Sequence, residues 1–415
     1  MGKSGLMYDV IVIGARCAGS PTAMLLARKG YRVLLVDKAT FPSNTMSNHY
    51  LQQSAVAQLK RWGLLDKVVN SGCPPIQKAT FDFFGSIVFT ARALPLEGTA
   101  EGYCPRRTVL DKILVDAAVE AGVELQERFV VQELCRDGEQ VTGIRGRLGD
   151  GRSVTEKARI VIGADGMNSF VARSCNALEY NTKPSITSYH YSYWSGVPVD
   201  GGELYFRDRR LIIAASTNDN LTCITVVLPI EEFRAFRSNV KENFWAALDL
   251  VPQLAKRLRA GKREEPFYGT GNLPNFFRKP YGDGWALVGD AGCHRDPTLA
   301  QGIKSAFLSS ELLVNAIDQG LSGYRPLNEA LADYERQRNE ALIPLYELVC
   351  QRASSLKAKT LSPEEIQFLA ALQGNQKEID RFWGVEAGTV AVQDFFSPQA
   401  IQQIIESSNP SLITV

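Results

Sequence analysis

The first 37 residues constrain the fold more than any other part of the chain. Tyr8-Asp9-Val10-Ile11-Val12-Ile13 is a β-branched run of strand length that stops at Gly14, and a helical stretch follows from about Cys17 to Lys29. After Gly30 a second apolar run, Arg32-Val33-Leu34-Leu35-Val36, ends in Asp37. Strand, helix and strand form a βαβ unit of about 30 residues. Such a unit brings the start of its helix and the carboxyl ends of its strands to one edge, where a pyrophosphate and a ribose are held. Asp37, 23 residues after Gly14, is placed to accept hydrogen bonds from an adenosine ribose.

The glycine pattern departs from G-x-G-x-x-G. In Gly14-Ala15-Arg16-Cys17-Ala18-Gly19, Arg16 stands where the second glycine normally lets the backbone approach the pyrophosphate. An arginine there points away from the phosphates or supplies charge to them. The candidate dinucleotide residues are Gly14, Arg16, Cys17, Ala18, Gly19, Asp37 and the adjoining Lys38. This fingerprint serves NAD and FAD alike.

Two later segments narrow the choice. Ala158-Arg159-Ile160-Val161-Ile162-Gly163-Ala164-Asp165-Gly166 is a strand running into a Gly-Ala-Asp-Gly turn, which sets backbone amides and one carboxylate at the edge of a sheet. Trp285-Ala286-Leu287-Val288-Gly289-Asp290-Ala291-Gly292 is again a strand and turn, followed by Cys293-His294-Arg295-Asp296-Pro297 and by Ala300-Gln301-Gly302-Ile303 at the head of a helix. In this order the three segments resemble the FAD-binding module of single-component aromatic hydroxylases similar to para-hydroxybenzoate hydroxylase, over residues 8 to about 345.

The resemblance implies roles residue by residue. It assigns Asp37 to the adenosine ribose, Gly289 and Asp290 to the ribityl or ribose hydroxyls near the pyrophosphate, and Asp165 with Gly166 to FAD and to pyridine-nucleotide interaction. Arg107, before a long helix, approaches FAD. Pro297, Gln301, Gly302 and Ile303 lie beside the isoalloxazine ring. His49, in the segment that reaches toward the ring, is the remaining candidate for catalysis beside Pro297, Gln301 and Gly302, although a structural role suits it equally. A helix start near Gln301 also has a physical rationale, since its unpaired amides and positive dipole end stabilise an anionic reduced ring.

The implied fold is α/β: a Rossmann-like FAD-binding domain from residues 1–75, 104–177 and 281–345, an inserted antiparallel-sheet substrate domain from 76–103 and 178–280, and a helical C-terminal region over 346–415. Strand-like runs such as Ser188-Tyr189-His190-Tyr191-Ser192-Tyr193-Trp194 are expected to form one antiparallel sheet above the flavin. Alternation puts Tyr189, Tyr191 and Tyr193 on one face and His190 and Trp194 on the other. Tyr191, Tyr193 and Trp194 are the substrate candidates, with core packing the more usual role of any single aromatic. Helices are expected over residues 327–337, 340–358, 363–372 and 398–406.

The remaining features exclude rather than assign. Lys plus Arg number 46 against 45 Asp plus Glu, which leaves no electrostatic footprint for nucleic acid or an anionic membrane. No window reaches the roughly 18 apolar residues of a membrane span. The eight cysteines show no CxxC spacing, so no metal site is expected, and reduced thiols fit a cytoplasmic protein.

The expected activity is hydroxylation of a small, aromatic or polycyclic substrate through a flavin C4a-hydroperoxide, with NADPH or NADH as transient reductant. A homodimer or a separate flavin reductase is a possible partner. The alternatives are a flavin halogenase or prenyl reductase, and a non-catalytic FAD-binding protein. Trp194-Ser195-Gly196-Val197-Pro198 lacks the second tryptophan of the halogenase motif.

Overall fold

The computed structural model describes residues 7–47 and 49–407. Its first sheet runs in the order Tyr281–Gly282, Trp285–Leu287, Ser153–Gly163, Tyr8–Ile13, Val33–Val36, Glu124–Gln126. The last five of these strands are parallel, and the outer Tyr281–Gly282 is antiparallel to its neighbour. Val10, Ile11 and Val12 have no exposed surface, because helices cover one face of the strands and the Val130–Asp137/Gln140–Arg147 hairpin helps cover the other. Continuous apolar runs suit strands buried on both sides. Gly19–Arg28, Arg107–Glu120 and Gly302–Leu321 pack on the first face.

The second sheet contains Thr187–Ser195, Leu221–Pro229, Arg210–Ser216, Gly202–Arg207, Lys78–Phe83 and Ile87–Arg92 in that order. The hairpin from residues 76–103 joins it as expected, but one pairing is not antiparallel: Lys78–Phe83 runs parallel to Gly202–Arg207. Parallel neighbours need a long connection, which the whole stretch between Phe83 and Gly202 supplies. Glu179–Lys183 leaves this sheet to pair with Asn275–Arg278 beside Cys293–His294. Three helices, Phe233–Ser238, Val240–Asp249 and Pro252–Ala260, cover the outer face of the second sheet.

The C-terminal region is helical. Where two helices were expected over 327–358, one runs unbroken as Leu327–Ser355, with Pro344 inside it. The polar stretch that looked like a break is core: Arg338 is 1% exposed and donates to the carbonyls of Gly292 and Arg278. Pro363–Leu372 and Pro398–Glu406 form as expected, each starting on a serine cap, and Gln376–Ala387 adds a helix between them. These helices pack on the phenylalanines of the 76–103 hairpin, Phe382 lying edge-on to Phe81 at 5.4 Å. Among the described residues no helix is long and apolar enough to cross a membrane.

Candidate functional site

A cleft of about 730 Å³ runs along the carboxyl ends of the parallel strands and under the second sheet. Its lining extends from Asp37 and Lys38 past Gly14, Arg16, Cys17 and Ala18, then Asp165, Gly166, Gly289 and Asp290, to Pro297, Gly302 and Ile303. One cavity thus gathers segments that are far apart in sequence, at the edge where doubly wound sheets bind ligands.

At the dinucleotide end the tight turn needs a glycine. Gly14 has φ +103°, and a Cβ there would collide with the Ala164 carbonyl oxygen. The Asp37 carboxylate accepts from the Ala15 amide at 2.7 Å and from the Ala39 amide at 2.8 Å, so it also fixes the turn it faces. Arg16 does pair with a carboxylate: Nη1 lies 2.5 Å from Asp111, and Nη2 donates to the Ser43 hydroxyl at 3.0 Å. Arg107 holds the same Asp111 through Nε and Nη2 at 3.0 and 3.1 Å. Cys17 touches Asp111 as well, and burial raises its pKa, which keeps it a neutral thiol. The amides of Cys17, Ala18 and Gly19 make no backbone hydrogen bond among the described residues. Cys17 and Ala18 line the cleft at a helix start, where anions are stabilised.

In the middle of the cleft, Asp165 Oδ2 accepts from the Phe170 and Val171 amides, while its Oδ1 is buried without a partner. Burial raises the pKa of this carboxyl. Asp290, in the short 3₁₀ turn Gly289–Ala291, is exposed to the cleft.

The far end is shaped by the turn from Asp296 to Gly302. Asp296 caps the Pro297–Leu299 turn through the Thr298 amide at 3.1 Å and receives the Thr187 amide from the second sheet at 3.2 Å. Ala300 is left-handed, φ 53°. Gln301 precedes the helix Gly302–Leu321 as expected, but its side chain does not reach the cleft. It is 1% exposed and donates to the carbonyls of Leu299 at 2.7 Å and Glu386 at 2.9 Å. Its amide therefore ties the helix start to the C-terminal helices. Gly302 does face the cleft, and a Cβ there would meet no atom within 4 Å. Protein packing does not require that glycine, so the open space is available to a ligand.

The other sequence candidates separate. Tyr191 lines the cleft, together with Tyr189. Tyr193 is fully buried and hydrogen-bonded to His49 Nε2, the two rings stacking 5.8 Å apart. His49 is buried and does not line the cleft. Burial, with the Arg107 and Arg106 charges adding, pushes its imidazole down to about 3, so it is neutral at ordinary pH. Trp194 points to the outer face, edge-on to Trp245 at 5.5 Å within the core under the three helices. The structure brings Tyr191 to the cleft but neither Tyr193 nor Trp194.

Arg295 was not singled out by sequence. It is 6% exposed, lines the cleft, and donates to Ser305 and to the Gln301 carbonyl, with no ion pair among the described residues. Its only sequence signal is its place between His294 and Asp296 in the turn before the helix.

The residues present fit FAD. A carboxylate sits at the ribose end, and amides without a backbone partner stand at the helix start beside it. Asp165 Oδ1 is an unpartnered acceptor in the middle of the cleft. A cation and an open glycine stand where the ring is expected.

Comparison with known proteins agrees. The chain is 24% identical over 328 residues to a 1H-pyrrole-2-carbonyl-[peptidyl-carrier protein] brominase of Pseudoalteromonas luteoviolacea, covering 76% of this chain and 78% of that protein. It is 25% identical over 362 residues to a digeranylgeranylglycerophospholipid reductase of Methanocella arvoryzae, covering 81% and 83%. The solved structure of pqsL, described as a probable FAD-dependent monooxygenase of Pseudomonas aeruginosa, superposes with TM-score 0.73 at 22% identity over 85% of this chain and 98% of that one. The model of the FAD binding domain matches residues 7–248, the stretch that carries the turn at Gly14, Asp37, Arg107 and Asp165. On that match and this cleft, the chain belongs to the FAD binding domain family, and its chemistry is that of an FAD-dependent oxidoreductase.

Proposed function

We propose that the chain is an FAD-dependent monooxygenase that hydroxylates a small, aromatic or polycyclic organic molecule, with NADH or NADPH as transient reductant. The observation that carries this reading is the continuity of the cleft. Asp37, Asp165, Asp290, Pro297 and Gly302, expected around the cofactor, and the inner face of the second sheet, at Tyr189, Tyr191 and Thr225, line one cavity. A substrate carbon can therefore lie directly against the cofactor, as insertion of an oxygen atom requires.

Bound FAD supplies the electron transfer and the oxygen activation. The chain's own residues supply the rest. The helix start at Gly302 and the Arg295 guanidinium favour negative charge at the ring end. Tyr191, whose pKa burial raises, stays a neutral hydrogen-bond donor toward the substrate. Tyr189, Leu273 and Leu342 exclude water from the space beside the turn at Pro297. The balanced reaction takes a substrate C–H, O2, NAD(P)H and a proton to C–OH, water and NAD(P)+.

Halogenation is the second reading, favoured by the brominase among the relatives. Substrate-dependent NAD(P)H oxidation in air, measured with oxygen uptake, tests the first reading. One mole of each per mole of hydroxylated product supports it, whereas product formed without oxygen uptake contradicts it in favour of a reductase.

A further inference from the structure

Of the chain's three histidines only His294 lines the cleft, and its two ring nitrogens stand in different surroundings. It lies in the short strand Cys293–His294, which leads to the turn at Pro297. Nδ1 is hydrogen-bonded to the Pro274 carbonyl. A carbonyl oxygen only accepts, so Nδ1 is the nitrogen that carries the hydrogen, and in the neutral ring the lone pair sits on Nε2. Nε2 makes no hydrogen bond among the described residues and is not one of the enclosed side-chain atoms, so it keeps free surface on the cleft that His294 lines. Phe276 stacks on the imidazole at 5.9 Å and holds its plane. Leu273, next to Pro274 in the chain, packs with Tyr189 and also lines the cleft. The imidazole therefore stands where the second-sheet side of the cleft meets the turn at Pro297.

The other titratable groups at this end do not take up a proton at ordinary pH. Burial raises the Tyr189 and Tyr191 phenols, which keeps both protonated. Arg295 is a cation turned to Ser305 and the Gln301 carbonyl. Asp296 does not line the cleft, and its carboxylate is taken by Thr187 and Thr298. Burial holds Cys293 as a neutral thiol. The remaining cations packed nearby are matched. Arg278, over the Phe276 ring at 4.0 Å, pairs with Glu179, and Arg338 is held by the carbonyls of Gly292 and Arg278. The cleft carboxylates Asp37, Asp165 and Asp290 stand in the part expected to hold the cofactor. His49 and His190, outside the cleft, are held by burial down to about 3 and about 4.

We propose that His294 is the catalytic proton acceptor of the cleft: Nε2 takes the proton of a hydroxyl on the substrate ring before oxygen is inserted. The substrate O–H bond breaks as an N–H bond forms at Nε2. The electron pair stays on the substrate oxygen, from which it enriches the ring carbon that takes the new oxygen. The Pro274 carbonyl, accepting from Nδ1–H, stabilises the imidazolium that results. Once the ring carries the new oxygen, the imidazolium returns its proton to the same substrate oxygen, so the overall balance of the reaction is unchanged. The proposal rests on the reading of the cleft as the place of oxygen insertion, and it deepens that reading by naming the residue that activates the substrate.

The test uses the FAD-loaded protein with 4-nitrophenol, whose ionisation shows in its absorbance, and with 4-nitroanisole, which lacks the O–H. At a pH where free 4-nitrophenol is un-ionised, binding should bring up the phenolate band, and the phenol should bind about ten-fold or more tightly than the ether. His294→Asn places an amide donor where Nδ1 stands, so it keeps a partner for the Pro274 carbonyl but offers no base. It should lose the band and the preference, as should His294→Gln, with FAD content unchanged in both. A parent protein that binds the phenol without ionising it, binds phenol and ether alike, or binds neither overturns the proposal. A band that survives in a folded His294→Asn protein, or loss of FAD from both variants, overturns it as well. A second measurement needs no variant: diethyl pyrocarbonate should acylate His294 first among the three histidines, and bound 4-nitrophenol should protect it. A His294 that stays unmodified in the folded protein, while the unfolded chain reacts at all three, has no accessible Nε2 and contradicts the proposal. Because ionisation is read without turnover, an enzyme that incorporates oxygen yet leaves the probe un-ionised keeps its proposed chemistry and loses only this base.

Discussion

Arg16 is held by Asp111, a residue 95 positions later in the chain, with Nη1 2.5 Å from the carboxylate. Asp111 has no exposed side-chain surface and also carries Arg107. The arginine that interrupts the glycine pattern is thus fixed by the long helix that begins at Arg107, at the lip of the cleft. Asp111→Ala should destabilise the protein by about 3–5 kcal/mol, because it strands two cations on a removed partner. Arg16→Gly leaves the Arg107–Asp111 pair intact and should leave stability within about 1 kcal/mol. Urea unfolding of both variants checks this; equal losses would mean that Arg107 alone does not satisfy Asp111.

Asp37→Ala should reduce FAD affinity by ten-fold or more, since it removes a charged acceptor at the ribose end and releases the Ala15 and Ala39 amides. Hydrogen bonds to charged groups contribute about 1.5–3 kcal/mol each. Flavin retained per protein after gel filtration measures the effect. Unchanged retention would show that the end of the second strand does not bind the cofactor.

Gly302 and Ala300 call for opposite substitutions. Gly302→Ala adds a methyl into open space at a helix start, so the FAD-free protein should be as stable as the parent or more so, while FAD binds more weakly. Ala300→Gly relieves a left-handed φ of 53° and should stabilise by about 1 kcal/mol. Thermal melts with and without FAD read both. A Gly302→Ala protein that binds FAD normally would place the ring elsewhere.

The His49 imidazole, held down to about 3 mainly by burial, links stability to pH. Its unfolded value is about 6.5. Between the two values the unfolded chain binds a proton that the folded chain does not, so stability falls as pH falls through that window and is untouched above it. From pH 7 to pH 5 this group should remove about 2 kcal/mol. His49→Asn, which tolerates the left-handed backbone at this position, should lose that much less on the same acidification. Urea midpoints of both proteins at the two pH values give the comparison, and parallel losses would mean that His49 titrates normally.

Much of the frame was legible because local signals and tertiary placement agree. The run from Tyr8 to Ile13, Gly14 and Asp37 carries a strand period, a turn that only glycine fits, and an acid at the right distance. Pro363–Leu372 and Pro398–Glu406 were bounded by serine caps followed by proline. What escaped depends on partners distant in sequence. Nothing near Gly202–Arg207 announces a parallel neighbour from the 76–103 hairpin. Arg338 reads as a polar break until the carbonyls of Gly292 and Arg278 are brought to it. Gln301 stands in the expected motif, yet its side chain turns to Glu386, a residue of a helix that the sequence did not reveal. Alternation along Thr187–Ser195 separated the tyrosine face from Trp194 correctly, but it could not tell which face meets the cleft.

Oxygen insertion at the cleft beneath Tyr189 and Tyr191 is decided by the mass of product formed under isotopically labelled dioxygen, with NAD(P)H, in the presence and absence of bromide. A monooxygenase places one labelled oxygen atom in each product molecule, unaffected by bromide. A product that gains bromine and carries no label would contradict it and establish halogenation instead.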